Sequence, residues 1–266
     1  MNNDWKIFTS ESQQFDFSGD KLEQSWPTLH AGNLEPFPEC TELQEAWRSY
    51  HQGDFATAAK LGKKLGNKLG THGAVVTAFA TVIYAQYMEE NGDEKIRLFK
   101  EAMALCEEHI ESSQQNHNLY YIYAVAMGRY SQFISMVEAL QQGFGKKIRD
   151  ATDQCLTLAP THAEALVTLG GWNAEIVDKA GAMLGKMMYG ATKENSIDSY
   201  QKAIELAPNS PVPYVEYGYA LQLMYGESKL DDTVAFLDKA LILEPADAMQ
   251  ALDLLAAQAY LQQLSN

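Results

Sequence analysis

One phrase recurs three times in this chain: an amphipathic run that ends in Leu-x-Pro. It reads DATDQCLTLAPTHAEAL, then DSYQKAIELAPNSPVPY, then AFLDKALILEPADAMQA. The prolines stand at 160, 208 and 245, so the copies are 48 and then 37 residues apart. A unit repeated at such a period builds an array, because no single unit can hide its apolar face and each must bury it on the next. Between the first two copies, Leu166, Leu169, Trp172, Ile176, Ala180, Met183 and Met187 follow one another at steps of three and four, which is one face of a helix. Ile197, Tyr200 and Ile204 do the same in the helix that comes next.

Periodicity and stop signals predict eleven helices, near 41–52, 54–70, 73–90, 93–113, 117–142, 145–158, 162–188, 193–206, 211–225, 229–243 and 247–263. The expected fold class is therefore all-α, a stack of about five antiparallel helix pairs plus a C-terminal capping helix. Asp253, Gln258 and Gln262 are expected on the polar outer face of that last helix. Thr41-Glu-Leu-Gln44 reads as a capping box, repeated at Thr161-His-Ala-Glu164 and Asp247-Ala-Met-Gln250. Asp54 and Asp93 suit helix starts, and Pro211 suits a first helical position. A helix over 162–188 reaches ~40 Å at 1.5 Å per residue. Gly181 and Gly185 inside it each cost roughly 0.5–1 kcal/mol against alanine and mark where it would break. Residues 1–40 form an extended arm with one short helix from Asp20 to Leu29, laying Phe8, Phe15, Phe17, Trp26 and Phe37 on the helices. Residues 41–266 form one solenoid.

These residues resemble the tetratricopeptide repeat (TPR) family, whose unit is a 34-residue helix pair with small residues at fixed places and a closing proline. Ahead of Pro208, Ala203 matches the family's closing alanine, Tyr200 its aromatic and Ser196 the small residue that opens the second helix. After Pro160, Ala163, Leu166, Leu169 and Gly170 follow in the family's order, and Tyr214, Tyr217 and Gly218 fall in the same slots after Pro208. Ala240 precedes Pro245 at the family's distance, and Tyr50-His-Gln-Gly53-Asp54-Phe55 with Ala58 looks like its turn between helices. The likeness covers roughly half the chain and departs between Asn173 and Ser196, where about 14 residues are inserted relative to the period. That insertion, with Ala126-Met-Gly-Arg-Tyr-Ser-Gln-Phe133, also resembles uncharacterised bacterial repeat proteins related to the T component of TRAP-type solute transporters.

What the TPR resemblance implies is a right-handed superhelix of these helix pairs, acting as a scaffold that holds a protein or peptide in a concave groove lined by first helices. The family's groove slots fall on Glu164, Val167, Gly171 and Ala174 in the central repeat, on Val212, Val215, Tyr219 and Gln222 in the next, and on Val125, Arg129 and Gln132 in the one before. The lining lacks the Lys and Asn set by which some members clamp a terminal carboxylate. The resemblance to the transporter component implies a second reading: an apolar or amphipathic small molecule held between long helices, in a cavity lined by Tyr123, Tyr130, Phe133, Trp172, Met183 and Met187. The same tyrosine and methionine stripe is also what a plain helix core would show. A homo-oligomer stays among the alternatives.

Composition narrows the function classes. A formal charge of −15 argues against nucleic acid, whose binding needs Lys and Arg on phosphates, and against anionic membrane surfaces. No apolar run approaches 18 residues, so no membrane insertion is expected, and Met1-Asn-Asn-Asp-Trp-Lys6 has neither the basic start nor the apolar core of a secretory signal. Cys40, Cys106 and Cys155 stand far apart, in keeping with a reducing cytoplasm rather than a disulfide framework. No enzyme is expected. The sequence has no Gly-x-Ser-x-Gly, His-Glu-x-x-His or Cys-x-x-Cys, and Gly181-Ala-Met-Leu-Gly185-Lys186-Met187 is one residue short of a phosphate loop. Cys106-Glu-Glu-His109 with His117 offers metal-type ligands without a fourth, so neither metal nor cofactor is expected. Gly62, Gly66 and Gly70 recur every fourth residue and permit close helix approach. Beside them Lys60, Lys63, Lys64 and Lys68 make the main basic patch, either a solvated face or a dock for an acidic partner.

Overall fold

Every regular element among the described residues is a helix. The computed structural model of the chain describes residues 5–9, 15–69, 71–112 and 115–264. In chain order the helices are α1 (Lys21–Leu29), α2 (Thr41–Gln52), α3 (Phe55–Leu69), α4 (Thr71–Ile83), α5 (Gly92–Ser112), α6 (His117–Ser131), α7 (Met136–Gln141), α8 (Phe144–Leu158), α9 (Ala163–Ala180), α10 (Ala182–Tyr189), α11 (Lys193–Leu206), α12 (Val212–Tyr225), α13 (Leu230–Leu241) and α14 (Ala248–Leu264). The chain groups into two compact units. The first takes the described residues up to His30, with Glu35–Leu158 and Asp247–Met249; the second takes Ala31–Leu34, Ala159–Ala246 and the described residues from Gln250 onward.

In the first unit α2 packs on α3, α3 on α4, α4 on α5, α5 on α6 and α6 on α8. Helix α4 is the core element, since every residue from Gly73 to Val82 is buried. Its composition allows this: Ala, Val and Phe fill space, while Thr77 and Thr81 return their hydroxyls to the backbone carbonyls of Gly73 and Thr77, both at 2.7 Å. The α3–α4 contact is set by Gly62 and Gly73. A Cβ on Gly62 would stand 2.6 Å from Val76 Cγ1 and 2.8 Å from the Gly73 carbonyl. A Cβ on Gly66 would meet nothing within 4 Å, although the Gly66 backbone N would stand 2.6 Å from a Cβ on Gly73, and Gly70 lies outside the described residues. The aromatics of the N-terminal stretch supply much of the remaining cover. Phe8, Phe17 and Trp26 are buried, Trp5 stacks on Tyr84 at 4.2 Å, and the Phe8 N–H donates to the Gly53 carbonyl at 3.1 Å.

In the second unit α9 packs on α11 and α12, and α12 on α13. The residues aligned above as repeat positions make these contacts. The Tyr200 ring lies on Gly170 so closely that a Cβ there would stand 2.6 Å from the ring, and Ser196 Oγ donates to the Gly170 carbonyl at 2.8 Å. Tyr200 stacks on Tyr217 at 5.0 Å, and Tyr217 meets Phe236 at 4.4 Å. Gly218 makes room for Leu237 as Gly170 does for Tyr200. Burying one such ring contributes roughly 1.5–3 kcal/mol. Val215, Leu237, Ala240 and Ala257 close the unit between α12, α13 and α14.

Several local expectations are corrected. The helix expected over 162–188 is two helices, because Gly181 adopts φ 80° and ψ 153° and stops α9 before α10 begins. That expected over 117–142 ends at Ser131, whose Oγ turns back to the Gly128 carbonyl at 2.7 Å, and α7 starts afresh with Ser135 as its cap. The end of the 73–90 helix widens into a π-turn at Tyr84–Met88. Cys40, not Thr41, sits at the start of α2, and Gln44 Nε2 donates to the Pro38 carbonyl rather than closing a box. At α9 the cap is His162, not Thr161: its Nδ1 accepts from the Ala165 N–H at 2.9 Å, so the proton of the neutral ring belongs on Nε2. Asn91 rather than Asp93 caps α5, whereas Asp54 caps α3 through the Thr57 N–H at 3.0 Å. In α14, Asp253 is buried, while Gln258 and Gln262 face solvent.

Candidate functional site

The groove residues named from the sequence fall in both units. In the first, Val125 and Arg129 lie half-buried on one face of α6, and Gln132 is exposed just past its end. In the second, α9 carries Glu164, Val167, Gly171 and Ala174, of which only Gly171 keeps partial exposure. On α12, Val215 is buried in the α12–α14 cluster, while Val212, Tyr219 and Gln222 are half-buried. Tyr219 meets the Tyr260 ring of α14 edge-on at 4.9 Å.

Glu164 is occupied by the chain itself. Its N–H donates to the Gly32 carbonyl at 3.0 Å, and its carboxylate accepts from Asn33 Nδ2 at 3.2 Å. A Cβ on Gly32 would stand 2.8 Å from that carboxylate, so the segment Ala31–Leu34 is seated on the first turn of α9. Leu34, at φ 57°, is the one described residue other than glycine in the left-handed region, where L side chains are disfavoured. Gln222 differs from Glu164. Its Oε1 is withdrawn from solvent and has no hydrogen-bond partner among the described residues. A buried carbonyl oxygen without a donor costs about 1–3 kcal/mol, which a donor from outside the chain would recover.

The expected apolar-cavity residues are placed less alike. Tyr130 and Trp172 are buried, and Phe133 stands at the open end of α6 beside Phe99, ring centroids 6.1 Å apart. Tyr123 donates to Glu107, and burial followed by that carboxylate pushes its phenol above the usual range. Met183 and Met187 are 83% and 73% exposed, with Leu184 and Met188 of the same helix at 47% and 62%. They form an open apolar face on α10 rather than the wall of an enclosure. The metal-type residues do not gather. Among the described residues no three His, Cys, Asp or Glu side chains could hold an ion, and Cys106 is fully buried, its thiol pushed up by burial.

One polar cluster was not legible in the sequence. His51 Nδ1 lies 2.7 Å from Asp247 Oδ2, and His51 Nε2 lies 3.2 Å from His30 Nε2, with all three residues buried. Trp26, Trp47, Tyr50 and Phe17 pack around the rings. With His51 donating from Nδ1 to the carboxylate, the two Nε2 atoms can hold only one proton between them. Nearby, buried Glu35 accepts from Asn118 Nδ2 at 2.6 Å and lies 3.9 Å from His72 Nδ1. Hydrogen bonding toward Glu35 and its charge hold the half-exposed His72 above the usual imidazole range, against the opposing effect of burial. These partners are 21 to 196 residues apart along the chain. No local pattern signals them.

Comparison with known proteins follows the fold. The pattern of the family described as Regulator of microtubule dynamics protein 1-3 matches residues 42–251. No curated protein matches the chain. Among solved structures, TTC0263, a thermophilic TPR protein of Thermus thermophilus, superposes with a TM-score of 0.58 at 15% identity, covering 82% of this chain and 98% of its own. Two structures of MamA superpose with a TM-score of 0.40, at 18% and 19% identity, covering 76% and 74% of this chain and 88% and 92% of theirs. The Thermus structure shows that the helix pairs described above are of the TPR type. Among the described residues no helix is long and apolar enough to cross a membrane.

Proposed function

We propose that this chain, which belongs to the regulator of microtubule dynamics protein 1-3 family, is a cytoplasmic helical-repeat scaffold that binds a protein partner rather than an enzyme. Within each unit taken by itself the partner-binding positions lie on first-helix faces: Val125, Arg129 and Gln132 on and after α6 in the first, and Gly171 on α9 with Val212, Tyr219 and Gln222 on α12 in the second. The remaining groove positions, Glu164, Val167, Ala174 and Val215, belong to the second unit and underlie its face. By the family's description, the process served is the regulation of microtubule dynamics.

The observation that supports this reading is Gln222. A carboxamide oxygen left without a donor beside the half-buried Tyr219 ring suits an incoming peptide N–H, with the ring offering apolar area. Site-specific photocrosslinking tests it. A photoreactive residue at Gln132 or Gln222 should give a discrete protein adduct in native cells, while one at exposed Gln201 on α11 should not. Equal labelling at all three positions, or none, contradicts the scaffold.

A second reading is favoured by one observation, the open Met183, Leu184, Met187 and Met188 face of α10. Methionine-rich surfaces adapt to varied apolar partners. By its resemblance to the T component of TRAP-type transporters, the chain would then hold an apolar or amphipathic small molecule. A lipid-sized adduct at Met187 in the same experiment, without a protein adduct at Gln132, distinguishes the two.

A further inference from the structure

Helix α3 is a lysine helix in an acidic chain. From Phe55 to Met88 the sequence contains no Asp or Glu, although the whole carries 35 of them. Lys60, Lys63 and Lys64 are exposed on α3, and no hydrogen bond or ion pair among the described residues engages any of the three. Other cations are engaged: Lys6, Lys21, Arg97, Lys146, Arg149 and Lys229 each meet a carboxylate. The helices packed on α3 do not neutralise it. Helix α4 brings only His72, which faces Glu35, and in α2 Glu42 accepts from Cys40 Sγ while Glu45 pairs with Arg48. The side chain of Lys68 lies outside the described residues.

The opposite side of α3 fixes its orientation. Gly62 and Gly73 bring the α3 and α4 backbones so close that either Cβ would collide with backbone atoms of the other helix. Helix α3 cannot roll without breaking that contact, so the lysine stems leave a rigid platform. A rigid array of like charges with no counter-charge among the described residues costs free energy unless something else supplies one.

We propose that the Lys60, Lys63 and Lys64 face of α3 docks a short acidic peptide segment of a protein partner. Lys60 and Lys64 are four residues apart, or about 6 Å at 1.5 Å per residue. An extended peptide repeats its same-side positions every second residue, at about 6.6–6.8 Å. Alternating glutamates therefore meet Lys60 and Lys64 in turn, with Lys63 beside them. Reach separates a peptide from nucleic acid. Charges are screened over about 8 Å at physiological salt, so a short segment meets the lysines alone, whereas a long polyanion runs on over a chain of net charge −15. Helix α3 carries none of the residues of the scaffold reading, and the two readings fail independently.

Fluorescence anisotropy with a labelled peptide of alternating glutamate and serine tests the site, using the full chain. The wild type should bind, more weakly as salt rises from about 50 to 200 mM. The variant K60Q/K63Q/K64Q should bind at least about tenfold more weakly, while K186Q/K202Q, which removes two other exposed lysines, should bind as the wild type does. A circular-dichroism melt checks that each variant is folded. If the triple glutamine variant is not, K60R/K63R/K64R should retain binding and K64Q alone should weaken it. Undiminished binding by the glutamine variant, equal binding of the matched glutamine–serine peptide, or tighter binding of a single-stranded oligonucleotide overturns the proposal.

Discussion

Two glycines four residues apart on α3 should respond to the same substitution with opposite signs. Replacing a mid-helix glycine by alanine stabilises by roughly 0.5–1 kcal/mol where the new methyl is free. At Gly66 it is free, since no heavy atom lies within 4 Å of the new Cβ. At Gly62 the methyl meets the Thr77 hydroxyl, Val76 Cγ1 at 2.6 Å and the Gly73 carbonyl at 2.8 Å. The carbonyl is backbone and cannot rotate away, so α3 and α4 must part by roughly half an ångström before ordinary contact is restored. Thr77 cannot yield freely either, because its Oγ1 donates to that same carbonyl at 2.7 Å. Overpacking of this kind costs about 1–3 kcal/mol, which outweighs the helical gain and leaves Gly62→Ala destabilised by about 1–2 kcal/mol. Urea unfolding followed by circular dichroism reads the difference, the two midpoints moving apart by about 0.75–1.5 M if the slope is near 2 kcal/mol per molar. Equal shifts in the same direction would refute the account of how these helices meet.

Further predictions follow from the same contacts. Gly170→Ala should destabilise the second unit by about 1–3 kcal/mol, since the Tyr200 ring occupies the space, and urea midpoints should show Tyr200→Leu in the same background recovering part of the loss. Asp247→Ala leaves His51 Nδ1 buried without its acceptor and should cost about 3 kcal/mol, measured by equilibrium unfolding. For His72, the folded value is raised above the ordinary 6.5, so its contribution to stability is fully present below 6.5 and is lost as pH rises through the folded value. Its NMR titration midpoint should lie above 6.5 and fall in Glu35→Gln. Changing Met183 and Met187 together to glutamine should move stability by less than about 0.5 kcal/mol per site, because neither side chain is packed.

The fold was legible where its causes are local. Repeated small residues at Gly170, Ser196, Ala203, Gly218 and Ala240 announce helix contacts, and those glycines face Tyr200 and Leu237 in the structure. Helix ends were less legible because several capping groups compete within two or three residues. Thr161 and His162 are both competent at the start of α9, and only the backbone geometry decides for His162. The break at Gly181 falls where a glycine marked one, whereas the end at Ser131 goes with a hydroxyl that turns back to the Gly128 carbonyl, which periodicity does not record. The Asn33–Glu164 and His51–Asp247 contacts join residues 131 and 196 apart, so nothing in either neighbourhood predicts the other. The placement of Met183 and Met187 was ambiguous for a different reason. An apolar stripe shows that a face needs cover without showing whether the chain supplies it.

Amide hydrogen exchange measured residue by residue tests the central claim, that the helices bury one another in pairs and leave chosen faces open. The amides of Gly73 to Val82 in α4, buried on every side, should be among the slowest to exchange, and those of Ala182 to Tyr189 in α10 among the fastest of any helix. Protection in α4 no greater than in α10 would contradict it.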